Sequence, residues 1–533
     1  MTRRIAACAA LLLTFALNAA PSFAYEPHVL SFSDGLDISS LNTFIATSGN
    51  AQPLAELTMA EFVRFGPHGE VLPELITEIP TKENHGVSAD GRTVTWHLRH
   101  NVKWSDGQPF DASDVVYTVR VAKDPNNNLA VRDPWDRLTS VSSPDAYTVV
   151  FHFKEPYALF IQDYFSPLSE SAVLPKHILG PGTAINDAPY NALPIGIGPF
   201  RYSAYHRGDD VEMEANPYYW RGKPKLQKVI FKIVTDENTR FTQLQTGELD
   251  LWDEVNGPLA QRVKTLPGKS YTARLSNYMS SIFMNVTRPI VSDPVVRRAL
   301  GYATNRELVL DKVVFHNGVL SESVVPKTSV DAIDLPATPF DLRRAATLLD
   351  HDGWKMGANG VRSKQGKPLT FDLAIPAGYS PSATLAAILH DDWGKIGVDV
   401  QIHTYAASQY FTTYAAGGII QTGKFDGALF SQGPGPLYAN INGIYDCAGV
   451  PPNGQNATRY CDPKVDQLND RYLHSFDPAT RHALAATMQN IIHADTPAIV
   501  MYERTFLAAY DARLTGYHPN SFSFWGDPLQ LDI

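Results

Sequence analysis

ADGRTVTWHLRHNVKWSDGQPFDASDVVYTVR, from Ala89 to Arg120, carries three local instructions in one short run. Thr93–Arg99 alternates β-branched and aromatic residues with polar ones, the period-two pattern of a half-buried strand. Trp104-Ser105-Asp106-Gly107 then supplies turn residues. Asp111 and Ser113 are both able to cap the apolar, helix-period run that follows. Strand, tight turn and capped helix in succession predict an α/β arrangement, with Trp96 and Trp104 as core residues.

The same alternation continues outward. Tyr147–Phe153, Lys228–Val234, Leu369–Ile375 and Val398–Tyr405 read as strands rich in β-branched and aromatic residues. Residues 111–124, 293–314, 341–354 and 383–397 read as helices, the second with Pro294 in a first-turn position. Mixed order over this length predicts open sheets rather than a barrel or sandwich. A chain of 533 residues exceeds one ordinary core, so two or three lobes are expected. No repeat or low-complexity tract points to a solenoid.

A net charge of −10 without a basic stripe argues against a nucleic-acid partner. At the start, MTRR is followed by the apolar run IAACAALLLTFAL and by Ser22-Phe23-Ala24. That order reads as a secretory signal over residues 1–24, cleaved after Ala24, and hence as a periplasmic protein. Cys8 leaves with the signal, so Cys447 and Cys461 remain. In an oxidising compartment an isolated pair is expected to form a disulfide.

Catalytic signatures are missing from the sequence. No serine lies between glycines at the spacing of a nucleophile elbow, and neither HExxH nor CxxC occurs. Pro267-Gly268-Lys269-Ser270 imitates the end of a phosphate loop, but Val263 stands where its first glycine is required. No enzyme, cofactor or metal is therefore expected. The rival reading is a secreted hydrolase whose paired carboxylates meet only in the fold.

The opening stretch closely resembles the signature of family 5 solute-binding proteins, the extracytoplasmic receptors of peptide-type ABC importers. Four further stretches match in order: GEVLPELITEI, GIGPFRYSAYHRGDD through QLQTGELD, FMNVTRPIVSDPVVRRALGYATNRELVLDKVV, and NATRYCDPKVDQLND. The resemblance implies an α/β, bilobal periplasmic-binding-protein fold of type II, in its large three-part variant, with a hinge between lobes. Lobe one would hold residues 25–281 and 495–533, with an inserted subdomain at about 71–189; lobe two would be 282–494. The implied partners are a peptide or related small solute and the membrane permease subunits of an ABC importer, with the receptor itself a monomer. A ligand sensor on the same fold would share every one of these motifs.

Carried over segment by segment, the resemblance places the ligand at Ser48, Gly49 and Asn50, at Trp252, at Asn277 and Tyr278, at Tyr379, and at Phe430, Ser431, Gln432 and Gly433. Peptide receptors of the family commonly place an aspartate near the last of these, to pair with the peptide's ammonium group. Here SQGPGPLY stands instead, and no acid occurs from Gly427 to Tyr445. That departure widens the expected solutes to modified peptides, oligosaccharides and other polar organic molecules.

Overall fold

Strand β1 (Val29–Ser33) is buried along nearly its whole length, as its sequence VLSFS requires of a strand covered on both faces. The structure, a computed structural model, describes residues 27–35, 38, 40–46, 51–129, 132–169, 171–255, 257–377 and 380–533. The expected signal segment, Ser48, Gly49, Asn50 and Tyr379 lie outside the described residues.

The decisive segment forms β2 (Thr93–His97) and α1 (Ala112–Lys123). Of the two candidate caps, Asp111 does the work: its carboxylate accepts the Ser113 N–H at 2.7 Å, and Asp114 reaches back to the Asp111 N–H at 3.3 Å. Asp114 also accepts the Trp104 indole N–H at 3.2 Å and the Lys176 N–H at 3.1 Å, which ties turn to helix. Trp96 and Trp104 are fully buried, as expected. Strands β3 (Leu138–Asp145) and β4 (Thr148–Phe153) complete a separate antiparallel sheet in the order β2-β4-β3, within the segment expected as a subdomain.

The chain then lays down β5 (Phe200–His206), β6 (Asp210–Ala215), β7 (Lys228–Lys232), α2 (Glu237–Thr246), β8 (Leu251–Trp252) and the long β9 (Lys269–Met284). The helix expected over 293–314 is two helices, α3 (Pro294–Tyr302) and α4 (Arg306–Lys312). Asn305 divides them by accepting the Leu308 N–H at 3.0 Å, a side-chain cap that restarts the helix. After α5 (Leu342–His351) come β10 (Thr370–Pro376), α6 (Ser380–Gly394), β11 (Asp399–Tyr405) and β12 (Gly427–Gln432). Helices α7 (Pro463–His474) and α8 (Pro478–Asp495) lead into the second long strand, β13 (Ala498–Asp511).

One sheet runs through the molecule in the order β11-β10-β12-β9-β13-β8-β1-β7-β6-β5. Strands β10, β11 and β12 are parallel on one side, and β1, β7 and β8 are parallel on the other. Between them β9 runs antiparallel to both β12 and β13, and β13 runs antiparallel to β8. The two long strands therefore belong to both half-sheets. Each half covers its own core: Ile282, Leu300, Leu349, Phe371 and Trp393 in one, and Leu30, Phe32, Phe200, Val229 and Trp525 in the other. A third cluster joins the subdomain to Leu437–Ala439 and Tyr472.

Candidate functional site

The register fixes where the two half-sheets point. Met279 lies opposite Gln432, so the carboxyl end of β12 reaches the middle of β9. Trp252 lies opposite Ala509, and the Val255 N–H donates to the Leu507 carbonyl at 2.9 Å, so the end of β8 reaches the middle of β13. Carboxyl ends of parallel strands from both sides thus converge on Ser276–Ser280 and Tyr502–Phe506. Open α/β sheets bind ligands just outside such ends.

At this point the β9–β13 pairing breaks between Leu275 and Met279 and resumes out of step. Such a bulge re-aims side chains. Tyr278 turns outward and is exposed, while Asn277 donates its amide N–H to the Pro434 carbonyl at 3.0 Å. A cavity of about 350 Å3 opens beside the bulge, lined among others by Ser280, Ala377, Phe411, Phe430, Ser431 and Arg504. Phe430 stacks on Phe283 at 4.1 Å and meets Phe411 edge-on at 6.5 Å. A larger cavity of about 560 Å3, walled by segments Thr304–Glu307 and Leu320–Phe340, includes none of the residues expected from sequence.

The expected site residues separate into groups. Phe430 and Ser431 line the cavity. Gln432 points toward the disulfide loop, with its amide N–H at 3.3 Å from the Gln455 carbonyl, and its own Oε1 is buried without a donor among the described residues. Gly433 is a packing glycine: a β-carbon there would overlap the Asn277 carbonyl oxygen. Trp252 requires correction as a ligand contact. Its ring is wholly buried among Phe241, Leu244, Leu249 and Val255, with the Arg240 guanidinium 5.2 Å from its centre. The side chain of a strand buried on both faces packs into a core, and the neighbouring Asp253 and Glu254 stand nearer the strand end.

Those two acids build the electrostatics. Arg274 grips Asp253 with two bonds of 2.7 Å, and both side chains are almost fully buried. Burial alone would lower the Arg274 pKa, but the Asp253 charge and hydrogen bonds hold it above the ordinary arginine value. Glu254 is pushed up by burial and by Asp253, against the opposing pull of Arg504, Arg274 and Arg240. On β13, Glu503 is buried and its pKa is pushed up to about 7, although the Lys327 N–H donates to it at 3.0 Å. These carboxyls escaped sequence reading because nothing local marks a strand end in three dimensions.

The loop after β12 engages the protein through most of its backbone. Thr328 and Ser329 hydroxyls donate to the Pro436 and Leu437 carbonyls at 3.2 Å each, and the Ala439 N–H donates to the Tyr472 hydroxyl at 2.9 Å. From the subdomain, the Gln162 Oε1 accepts the Tyr438 N–H at 3.3 Å. The loop read as a ligand wall is thus, from Pro434 onward, a contact between parts of the molecule. Cys447 and Cys461 are joined in a disulfide, and Asn456 braces the loop they close with bonds to the Asp446 and Tyr460 carbonyls at 2.9 and 2.8 Å. Among the described residues, one cluster has metal-ligand spacing: Glu155, Asp470 and His474. Its imidazole already meets Glu155 at 3.1 Å, bridging the subdomain and α7, and both acids are exposed.

Known proteins carry the same pattern. The profile of bacterial extracellular solute-binding proteins, family 5 Middle, matches residues 70–448. Protein XP55 of Streptomyces lividans is 30% identical over 442 residues, covering 80% of this chain and 75% of that protein. The glutathione-binding protein GsiB of Escherichia coli (strain K12) is 28% identical over 464 residues, covering 84% of this chain and 85% of that one. Among solved structures, NikA from Brucella suis in complex with Fe(III)-EDTA superposes with a TM-score of 0.82 at 23% identity, over 94% of this chain and 99% of that chain. With most of its length, residues 70–448, matched by the profile, the chain belongs to the family 5 bacterial extracellular solute-binding proteins.

Proposed function

We propose that this protein is an extracytoplasmic receptor that captures a peptide or related polar organic solute and delivers it to the permease of an ABC importer. One observation carries the reading: the carboxyl ends of two parallel half-sheets converge on a bulged crossing strand, beside a cavity lined by Phe430 and Ser431. The similarity to a glutathione-binding protein of Escherichia coli, and to di/tripeptide-binding protein 1 of Pseudomonas aeruginosa (27% identical over 543 residues), supports the solute class. Export through a signal cleaved after Ala24, and a periplasmic location, belong to the same proposal.

The working unit is a monomer with two lobes, residues 25–281 with 495–533 and residues 282–494, hinged where β9 and β13 pass between them. The subdomain at about 71–189 belongs to lobe one. Solute binding favours the closed arrangement, and that population shift is the signal an importer reads. Asn277, Tyr278, Phe430, Ser431 and Gln432 are the proposed contacts, together with the segments around Asn50 and Tyr379. The protein binds its solute stoichiometrically and returns it unchanged.

Native mass spectrometry of protein purified without refolding tests this directly. The expected result is a retained small solute whose release enlarges the particle in small-angle scattering. Absence of any retained or rebound solute, or steady product formation in proportion to protein, would overturn it.

A further inference from the structure

We propose that Arg504 is the seat for an anionic group of the captured solute, a carboxylate lying next to an apolar or aromatic portion. The inference rests on the receptor reading and adds the chemical class that the cavity selects. Among the described residues lining the cavity of about 350 Å3, Arg504 alone carries a charge. Rings of Phe411, Phe430 and Tyr502 share the wall with it. That volume falls within the range of small-molecule sites, which are mostly apolar with a few polar groups that fix orientation.

Among the described residues, Arg504 differs from its neighbour in having no ion-pair partner. Arg274, on the neighbouring strand, is held by Asp253 through two short bonds. Arg504 has no carboxylate in ion-pair contact among the described residues; its guanidinium lies 5.1 Å from the centre of the Phe506 ring, which leaves the hydrogen-bonding edge available. Glu254 acts on it only from a distance, and burial together with Asp253 favours the neutral form of that carboxyl. A guanidinium offers a planar fork of donors that matches a carboxylate, and the pair gains strength where water is excluded.

The surrounding sequence agrees on sign. No acid occurs from Gly427 to Tyr445, so this segment offers no carboxylate to a ligand ammonium group. A solute seated here presents its negative end to β13 and its apolar part to Phe411 and Phe430.

The test uses two probes, N-acetyl-Ala-Phe as the free acid and as its C-terminal amide, titrated into solute-free protein by calorimetry. The expected result is at least a tenfold preference for the acid, lost in Arg504→Gln and partly kept in Arg504→Lys. Thermal melting confirms that each variant is folded. Equal affinity for the two probes, failure of the acid to bind, or an acid preference that survives Arg504→Gln would overturn the inference. The receptor reading fails by a different result, the absence of any solute retained from cells, so the two failures are told apart.

Discussion

Gln162 and Gly435 meet where the subdomain touches the loop after β12: a β-carbon at Gly435 would lie 2.8 Å from both the oxygen and the nitrogen of the Gln162 amide. The same amide oxygen accepts the Tyr438 N–H, so absence of a side chain at one position makes room for a hydrogen bond at another. Gly435→Ala is expected to displace the Gln162 amide, which is the far end of a flexible side chain, and to leave the Tyr438 N–H unpaired. If the contact forms on closure, as the proposed hinge requires, the closed arrangement bears a cost of about 1–2 kcal/mol. Solute affinity should fall roughly tenfold while the melting temperature stays nearly constant, as calorimetry and thermal unfolding would read.

Gly433 should behave differently. The atom in the way there is the Asn277 backbone carbonyl, part of the main chain rather than the far end of a flexible side chain. Gly433→Ala is expected to destabilise the fold itself by about 1–3 kcal/mol, the usual cost of overpacking a close contact. Chemical denaturation of the two glycine variants side by side should place the larger loss of stability at Gly433.

Thiol labelling of the mature protein under denaturing, non-reducing conditions should find no free cysteine, because Cys447 and Cys461 are bonded. Replacing both by serine is expected to cost about 3 kcal/mol in the chain-entropy picture of a loop this long. Unchanged denaturation midpoints in the double variant would sink that expectation.

Glu503 makes stability depend on pH with a definite sign. Its carboxyl moves from 4.5 to about 7 on folding, so between those values the native state holds a proton that the unfolded chain has released. Stability therefore falls as pH rises through that window, by up to about 3 kcal/mol. Glu503→Gln keeps an acceptor for the Lys327 N–H and removes the titration. The variant should match the parent near pH 4.5 and exceed it at pH 8; parallel melting curves at both pH values would refute the assignment.

Much of the architecture was legible because it is written locally. Thr93–His97 and Asp111 obey strand alternation and capping rules that operate within a few residues. The break at Ala303–Asn305 was missed because helix periodicity continues across it, and only the Asn305 side chain reveals the restart. Helix α8 was missed altogether, though Asp477 followed by Pro478 is a cap with a first-turn proline. The candidate site was read less well. Phe430 and Ser431, expected through their place in the family pattern, line a cavity, whereas Trp252, read as a ligand contact, packs into a core. Arg504 and Glu503 sit on a strand whose neighbours come from residues 269–284, 251–252 and 318–319, and no local pattern reports such distant pairings.

The place of β13 in the sheet also sets an order of assembly. It fills the gap between β8 and β9, so before it arrives the two half-sheets share no hydrogen-bonded border. Synthesis can finish β1, β7 and β8 on one side and β10, β11 and β12 on the other, but the joint between them waits for residues near 500. Pairings this far apart in sequence carry a high loop-closure cost and form slowly. The emerging chain thus stays without its keystone for most of its synthesis.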